Sequence, residues 1–298
     1  MDLPKLKKVT ENKKKKILVL SDDLRMTSGV GTMSREIVLG TIREYDWVQI
    51  AGAIKHPDSN KVVDLNDSVR KETGVEDAYL KLYPVDGYGS QEVLRSLIKT
   101  EKPDAILHYT DPRFWGWLYD MEHEVRQQCP IFYYNIWDDL PYPRWNEPFY
   151  ESCDLIMNIS KQTVNIVDNV CQIKPRTDWD NTYVPHGINE KNFYPVTPLN
   201  TKEWGDLLQF KRNVAQGKDY EFIVFWNNRN IRRKLPGDVI MAYKQFCDML
   251  PKEQSDKCAL IMHTQPRDEN GTDLPEVVRE LCPNYDVIFS HKKLEDRE

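Results

Sequence analysis

Short, continuous apolar runs recur along this chain, and almost every one is followed by a segment with helical periodicity. The runs Ile17-Leu-Val-Leu20, Ala105-Ile-Leu-His108, Ile131-Phe-Tyr-Tyr134 and Leu155-Ile-Met-Asn-Ile159 lack the polar alternation of a half-solvated strand. Each therefore reads as a strand buried on both faces. Helical patterns over 32–44, 91–100 and 121–128 separate them, and Ser160 is placed to cap a further helix through Val164 and Val167. Such alternation predicts a parallel sheet covered by helices on both sides. Residues 47–54, 78–85 and 183–185 read as further strands, closing a first domain over 17–188.

From 189 to 220 the pattern is lost, with Pro195 and Pro198 among polar residues, so this stretch reads as an interdomain connection with one helix around 204–210. A second strand–helix series then occupies 221–298, with strands at 222–226, 259–262 and 287–289 and helices at 236–250 and 274–281. Three strands make a thin sheet with an open edge, so this domain is expected to be incomplete.

Charge is unevenly spread. Residues 1–16 carry seven lysines against Asp2 and Glu11, while the whole chain is at −6, so a basic tail is expected on an acidic body, read as a solvated, disordered terminus with an arm for nucleic acid or an anionic membrane surface as the alternative. An acidic body disfavours nucleic acid as a general partner. With 40% hydrophobic and 30% charged residues the chain reads as folded and water-soluble. No apolar run approaches the ~20 residues that cross a bilayer, and none follows the lysines as a signal peptide would require. The reading is a cytoplasmic protein without a transmembrane segment. The six cysteines form no C-x-x-C pair and read as reduced, buried apolar residues.

In sheets of this kind ligands lie beyond the C-terminal ends of the strands, which directs attention to three loops. Thr27-Ser-Gly-Val-Gly31 has glycines that let backbone approach a ligand and a following helix whose N–H groups suit an anion, although a plain tight turn has the same composition. Asn228-Arg-Asn-Ile-Arg-Arg-Lys234 sets four cations within six residues after a strand. Arg229 and Lys234 can converge there on one pyrophosphate, a planar fork beside a point charge, and a solvated basic loop is the alternative. Val184-Pro-His-Gly-Ile-Asn189 offers Gly187 for a chain reversal and His186 either as a structural residue or as a hydrogen-bonding group for a phosphate or sugar hydroxyl.

The ordered set of Ser28-Gly-Val-Gly31, Lys102-Pro-Asp-Ala-Ile-Leu-His108, Asp154-Leu-Ile-Met-Asn-Ile-Ser160, Val184-Pro-His-Gly-Ile-Asn-Glu-Lys-Asn-Phe193 and Arg229 with Lys234 resembles the GT-B glycosyltransferases of family 4. The resemblance runs from about residue 17 to the end. It implies an α/β fold of two Rossmann-like domains, the second one C-terminally truncated here, and retaining transfer from a nucleoside diphosphate sugar of the UDP, GDP or ADP type. It implies that Gly29, Val30 and Gly31 underlie the donor diphosphate or the acceptor, that His186 and Gly187 contribute to the donor site, and that Arg229 and Lys234 grip the diphosphate. It also implies no obligatory cofactor, no catalytic metal and no Asp-x-Asp metal motif. The acceptor hydroxyl would belong to a glycan, lipid, protein or small molecule.

The chain departs from the family in two places. Trp137-Asp-Asp139 stands where a His-Asp pair is usual, leaving Asp138 as the hydroxyl-binding candidate, and the family's Glu-x7-Glu region does not follow within the 298 residues. A non-catalytic or split GT-B subunit that binds nucleotide, glycan or a partner chain completing its sheet is the alternative, and sugar transfer to modified DNA bases a further one. The aromatic stretch Arg113-Phe-Trp-Gly-Trp117 and residues 137–145, with Tyr142 and Arg144, read either as core or as an acceptor wall. A dinucleotide oxidoreductase is disfavoured because Ser34 stands where a third glycine is usual.

Overall fold

A computed structural model describes residues 14–53, 57–172, 174–177 and 179–290. The chain divides between Glu190 and Lys191 into two compact units.

The first unit is built on eight strands: β1 (Lys15–Asp22), β2 (Tyr45–Gly52), β3 (Val63–Asp64), β4 (Leu80–Pro84), β5 (Ala105–Tyr109), β6 (Ile131–Asn135), β7 (Leu155–Asn158) and β8 (Asn181–Tyr183). Their order is β3-β4-β2-β1-β5-β6-β7-β8, parallel throughout except for β3 against β4. Side chains of β1 alternate between two cores. Leu18 and Leu20 pack with Val48, Ile50 and Ile106 on one face, while Val19 packs with Leu80, Leu82 and Leu107 on the other. Burial on both faces is why these strands are apolar without a break.

The helices are capped where the sequence supplies hydroxyls. Ser28, Ser90 and Ser160 cap Gly29–Gly40, Gln91–Glu101 and Lys161–Val170, each accepting a backbone N–H from the first turn. Three expectations shift. The first helix begins at Gly29 rather than Thr32, because Ser28 is its cap, so the glycine pair lies in the first turn and not in a loop. The last strand is Asn181–Tyr183 rather than 183–185, since Asn181 is drawn inward by buried hydrogen bonds and Pro185 has no N–H for a ladder. The strand β3 and the helix Asn66–Thr73 are additions that the sequence pattern did not disclose.

Residues 1–13 of the expected basic tail lie outside the described residues, and its last residues are not tail. Lys15 and Lys16 open β1, and Lys14, Lys15 and Lys16 pair with Asp77, Asp104 and Glu101. Neighbouring carboxylates consume this charge, so it offers no basic arm at these positions.

The second unit has a three-stranded parallel sheet of order β11-β10-β9, formed by β9 (Phe222–Asn227), β10 (Cys258–His263) and β11 (Asp286–Phe289). Helices Pro236–Asp248 and Leu274–Leu281 cover it through Ile240, Tyr243, Cys247 and Leu274. The helix Thr201–Val214, longer than expected, buries none of its own residues. All six cysteines are buried free thiols, and burial pushes Cys129 up to about 11 and Cys153 up to about 12. They stay protonated and act as small hydrophobes. No helix among the described residues is long and apolar enough to cross a membrane.

Candidate functional site

Strand order reverses at β1, which pairs with β2 on one side and β5 on the other. The crevice beyond their C-terminal ends is the expected ligand position in such a sheet. Asp22 ends β1 there. The Ser28 hydroxyl donates to Asp22 Oδ2 at 3.1 Å and accepts from the Gly31 N–H at 3.0 Å, so the N-terminus of the first helix is turned toward a carboxylate. Burial raises the Asp22 carboxyl above its ordinary range, and the Ser28 bond only partly opposes this. The next residue, Asp23, is clasped by Arg25 through Nε at 3.0 Å and NH2 at 2.6 Å.

The three residues expected beneath a ligand separate in role. A side chain on Gly29 would meet nothing within 4 Å, so its backbone is open to an incoming group. Val30 packs against the core. A Cβ on Gly31 would lie 2.8 Å from the carbonyl oxygens of Asp23 and Met26, so that glycine serves the close approach of the protein's own backbone.

His186 follows β8 and sits edge-on to Tyr109 and Tyr134, at centroid distances of 6.0 and 5.3 Å. Its Nε2 lies 3.4 Å from the Tyr109 hydroxyl, and Tyr134 donates to the Val184 carbonyl at 3.0 Å, fixing the chain that presents the imidazole. Loss of water around the ring lowers its pKa, so it is neutral at pH 7 and can donate from one nitrogen and accept at the other. Gly187, expected to permit a chain reversal, has no positive φ and would carry a Cβ into open space, so nothing local requires glycine there.

After β5, Asp111 is held by Arg113 through Nε at 2.9 Å and NH2 at 2.5 Å, and the Arg113 guanidinium lies 5.2 Å from the Trp137 ring centroid. Phe114 stacks on Tyr88 at 4.9 Å and leaves its other side exposed. In contrast, Trp115 is fully buried, so the aromatic stretch divides between core and surface. The Asp138 carboxylate is exposed and bonds to no other side chain among the described residues, while its carbonyl accepts from Gln162 at 3.2 Å.

The sequence reading missed Asp22, which has no motif of its own, and a buried amide chain that runs from the ends of β6 and β7 to the start of β8. Asn135 donates to Asn158 at 3.1 Å, Asn158 to Asn181 at 2.7 Å, and Asn181 to Asp168 at 2.7 Å. It also overlooked an Asp-x-Asp spacing in Asp178-Trp179-Asp180. That spacing precedes β8, at the opposite end of the sheet. Asp180 there accepts from the Thr177 N–H at 2.6 Å, and Asp178 lies outside the described residues. A concavity of about 510 Å³ lined by Glu122, Arg126 and Asp154 also lies at the N-terminal strand ends, away from the switch point.

In the second unit, β9 leads directly into the cationic loop. Arg229 Nε donates to Asp268 Oδ2 at 3.1 Å, whereas Arg232, Arg233 and Lys234 pair with no carboxylate among the described residues. The last three form a 3-10 turn, and Leu235, in the left-handed region at φ 49°, hands the chain to the helix Pro236–Asp248. That helix has no side-chain cap; Pro236 has no N–H and the Asp238 and Val239 N–H groups donate to the Leu235 carbonyl, so the Gly237 N–H and the positive helix end are left to solvent or an anion. Asn230 is fully buried and staples this loop to the one after β10, donating to the Thr272 carbonyl at 2.7 Å and accepting from the Thr272 N–H at 3.2 Å. Thr264, also in the loop after β10, is buried with no hydrogen-bond partner for its hydroxyl among the described residues.

No protein-family model matches the sequence, and no curated protein matches it. Solved structures do resemble it. A trehalose-6-phosphate synthase, OtsA, superposes with a TM-score of 0.59 at 12% identity, over 93% of this chain and 73% of that one. A trehalose-6-phosphate protein of E. coli bound with UDP-2-fluoro glucose gives 0.56 at 12% identity, over 92% and 73%. An α,α-trehalose-phosphate synthase (UDP-forming) of Burkholderia xenovorans in complex with glucose-6-phosphate gives 0.56 at 9% identity, over 93% and 74%. The likeness is one of fold. The chain has the GT-B fold of two Rossmann-like α/β units, the second incomplete among the described residues, where its order β11-β10-β9 is one half of a doubly wound sheet.

Proposed function

We propose that this chain is a glycosyltransferase that uses a UDP-sugar, with the donor diphosphate bound by Arg229 and Lys234 at the N-terminus of Pro236–Asp248. The observation that carries this reading is the loop itself: four cations at the C-terminal end of a parallel strand, three of them unpaired among the described residues, before an uncapped helix. Breaking a sugar–phosphate bond builds negative charge on the departing diphosphate. Fixed cations and a helix dipole stabilise that charge without reorganising at the moment of reaction. UDP is preferred over GDP and ADP because similar folds carry UDP-2-fluoro glucose or are UDP-forming. A sugar-phosphate acceptor is supported by the glucose-6-phosphate of the Burkholderia structure.

On the first unit, Asp22 supplies a carboxylate that accepts from an acceptor hydroxyl, neutral His186 a second hydrogen-bonding group, and Gly29 an open backbone position. Retention of configuration follows from the family resemblance. Calorimetric titration of the purified chain with UDP, GDP and ADP tests the donor site. UDP should bind saturably, and Arg229→Ala or Lys234→Ala should each weaken it by about 1–3 kcal/mol, the scale of a charge-assisted hydrogen bond. Equal affinity in wild type and both variants would remove these residues from the site, and a folded chain that binds no nucleotide would end the reading.

A second reading, a subunit that binds nucleotide without transferring sugar, is favoured by one observation: Trp137 replaces the family's histidine and the Asp138 carboxylate beside it bonds to no other side chain among the described residues. UDP binding without turnover of UDP-glucose on any acceptor, including glucose-6-phosphate, distinguishes it.

A further inference from the structure

Arg229 uses only part of its guanidinium. Nε is spent on Asp268 at 3.1 Å, while neither terminal nitrogen has a partner among the described residues, and the side chain is 64% exposed. Asp268, by contrast, is 5% exposed and fixed from two further directions. Its Oδ1 accepts from the Asn270 N–H at 2.9 Å, and its carbonyl accepts from the Gly271 N–H at 2.9 Å. The arginine bond holds its carboxyl below the ordinary carboxylate range, so the group is an anion at neutral pH.

The turn carrying Asp268 is itself locked to the cationic loop. A Cβ on Gly271 would lie 2.2 Å from the Asn230 carbonyl oxygen and 2.5 Å from its Oδ1, so the two backbones meet where only glycine fits. Buried Asn230 closes the same junction through Gln265, Pro266 and Thr272. An arginine anchored through Nε presents its two terminal NH2 groups as a preorganised fork, the geometry that suits bidentate phosphate recognition.

We propose that Asp268 is a positioning residue for the anion site: it orients Arg229 so that the terminal nitrogens face a diphosphate, and the Asn230–Gly271 junction holds Asp268 in place. The inference rests on the donor-site reading above. The carboxylate does not touch the ligand. It removes the rotational freedom of a long side chain before binding, an entropic cost otherwise met on association.

The test is calorimetry of the full chain with UDP, inorganic pyrophosphate and uridine as probes. The variants are Asp268→Asn, Asp268→Glu, Arg229→Ala and the double variant Asp268→Asn/Arg229→Ala, each checked for folding by thermal melting. Asp268→Asn should weaken UDP and pyrophosphate about tenfold and leave uridine within twofold. Asp268→Glu should restore part of the loss, and in the Arg229→Ala background Asp268→Asn should cost nothing more. A structural role alone would weaken uridine equally and persist in that background, and either result overturns the inference. So does wild-type UDP affinity in Asp268→Asn. If Asp268→Asn does not fold, Asp268→Ser, which also lacks the carboxylate, decides. Wild-type affinity for UDP and pyrophosphate then overturns the positioning role, and a loss for both that spares uridine supports it. A wild-type chain that binds neither UDP nor pyrophosphate overturns the donor site itself, a different outcome from binding that depends on Arg229 but ignores Asp268.

Discussion

Two glycines separated by one residue do opposite work in the first turn of the helix that follows β1. Gly31 is enclosed by the backbone oxygens of Asp23 and Met26, while Gly29 faces open space. Gly31→Ala should therefore cost about 1–3 kcal/mol by overpacking, read as a lower urea midpoint, with Gly29→Ala near wild type. Equal midpoints would show that the loop relaxes freely. Asp22 makes a sharper case, because its folded carboxyl titrates above its unfolded value of about 3.9. Between those values the folded state holds a proton that the unfolded chain has released, so stability falls as pH rises through the window. At pH 7 the ionised Asp22 is a net penalty. Asp22→Asn should match wild type near pH 4 and become the more stable of the two toward pH 7 in urea titrations, while binding acceptor less well. A variant that loses stability at pH 7 would contradict this. A destabilising carboxylate at a topological switch point fits the acceptor-binding role proposed for Asp22.

Helix caps and doubly buried strands are local facts, which is why they were legible without coordinates. Ser160 precedes its helix by one residue, and Ile17 to Leu20 is apolar without interruption. The cationic loop was legible for the same reason, since Arg229 to Lys234 is contiguous. Its partner was not: Asp268 lies 39 positions away and meets Arg229 only because β9 and β10 pair in register. The amide chain across β6, β7 and β8 escaped for the same cause. Asn135, Asn158 and Asn181 read singly as isolated polar residues; only the pairing of β6 with β7 sets Asn135 opposite Asn158, and Asn181, at the start of β8, reaches Asn158 from two residues out of register. Asn158→Leu should leave an Asn135 donor and an Asn181 acceptor buried and unpaired, costing at least about 2 kcal/mol in urea denaturation despite the added apolar volume. A neutral effect would mean that water or rearrangement satisfies both groups.

On the scale of the whole molecule, the two sheets differ in how their first strands are used. In the first unit the opening strand β1 is central, with neighbours on both sides, whereas the opening strand of the second unit, β9, is an edge among the described residues. In a doubly wound sheet strand order reverses at the first strand, so β9 offers the side on which another half would add. The composition agrees. Phe222 and Phe225 on β9 are 51% and 62% exposed, an apolar edge of the kind that proteins usually cover. The interior strand β10 is paired on both sides, with Leu260 and Met262 fully buried. Hydrogen exchange on the purified chain should therefore show β9 amides exchanging well before those of Leu260, Ile261 and Met262. Equal protection of β9 and β10 would mean that the edge is covered in solution, and light scattering on the same sample would tell whether a second copy covers it. Early exchange at β9 that slows when UDP is added would link the order of this edge strand to the cationic loop it feeds, because Asn227 and Arg229 are two residues apart on one continuous segment.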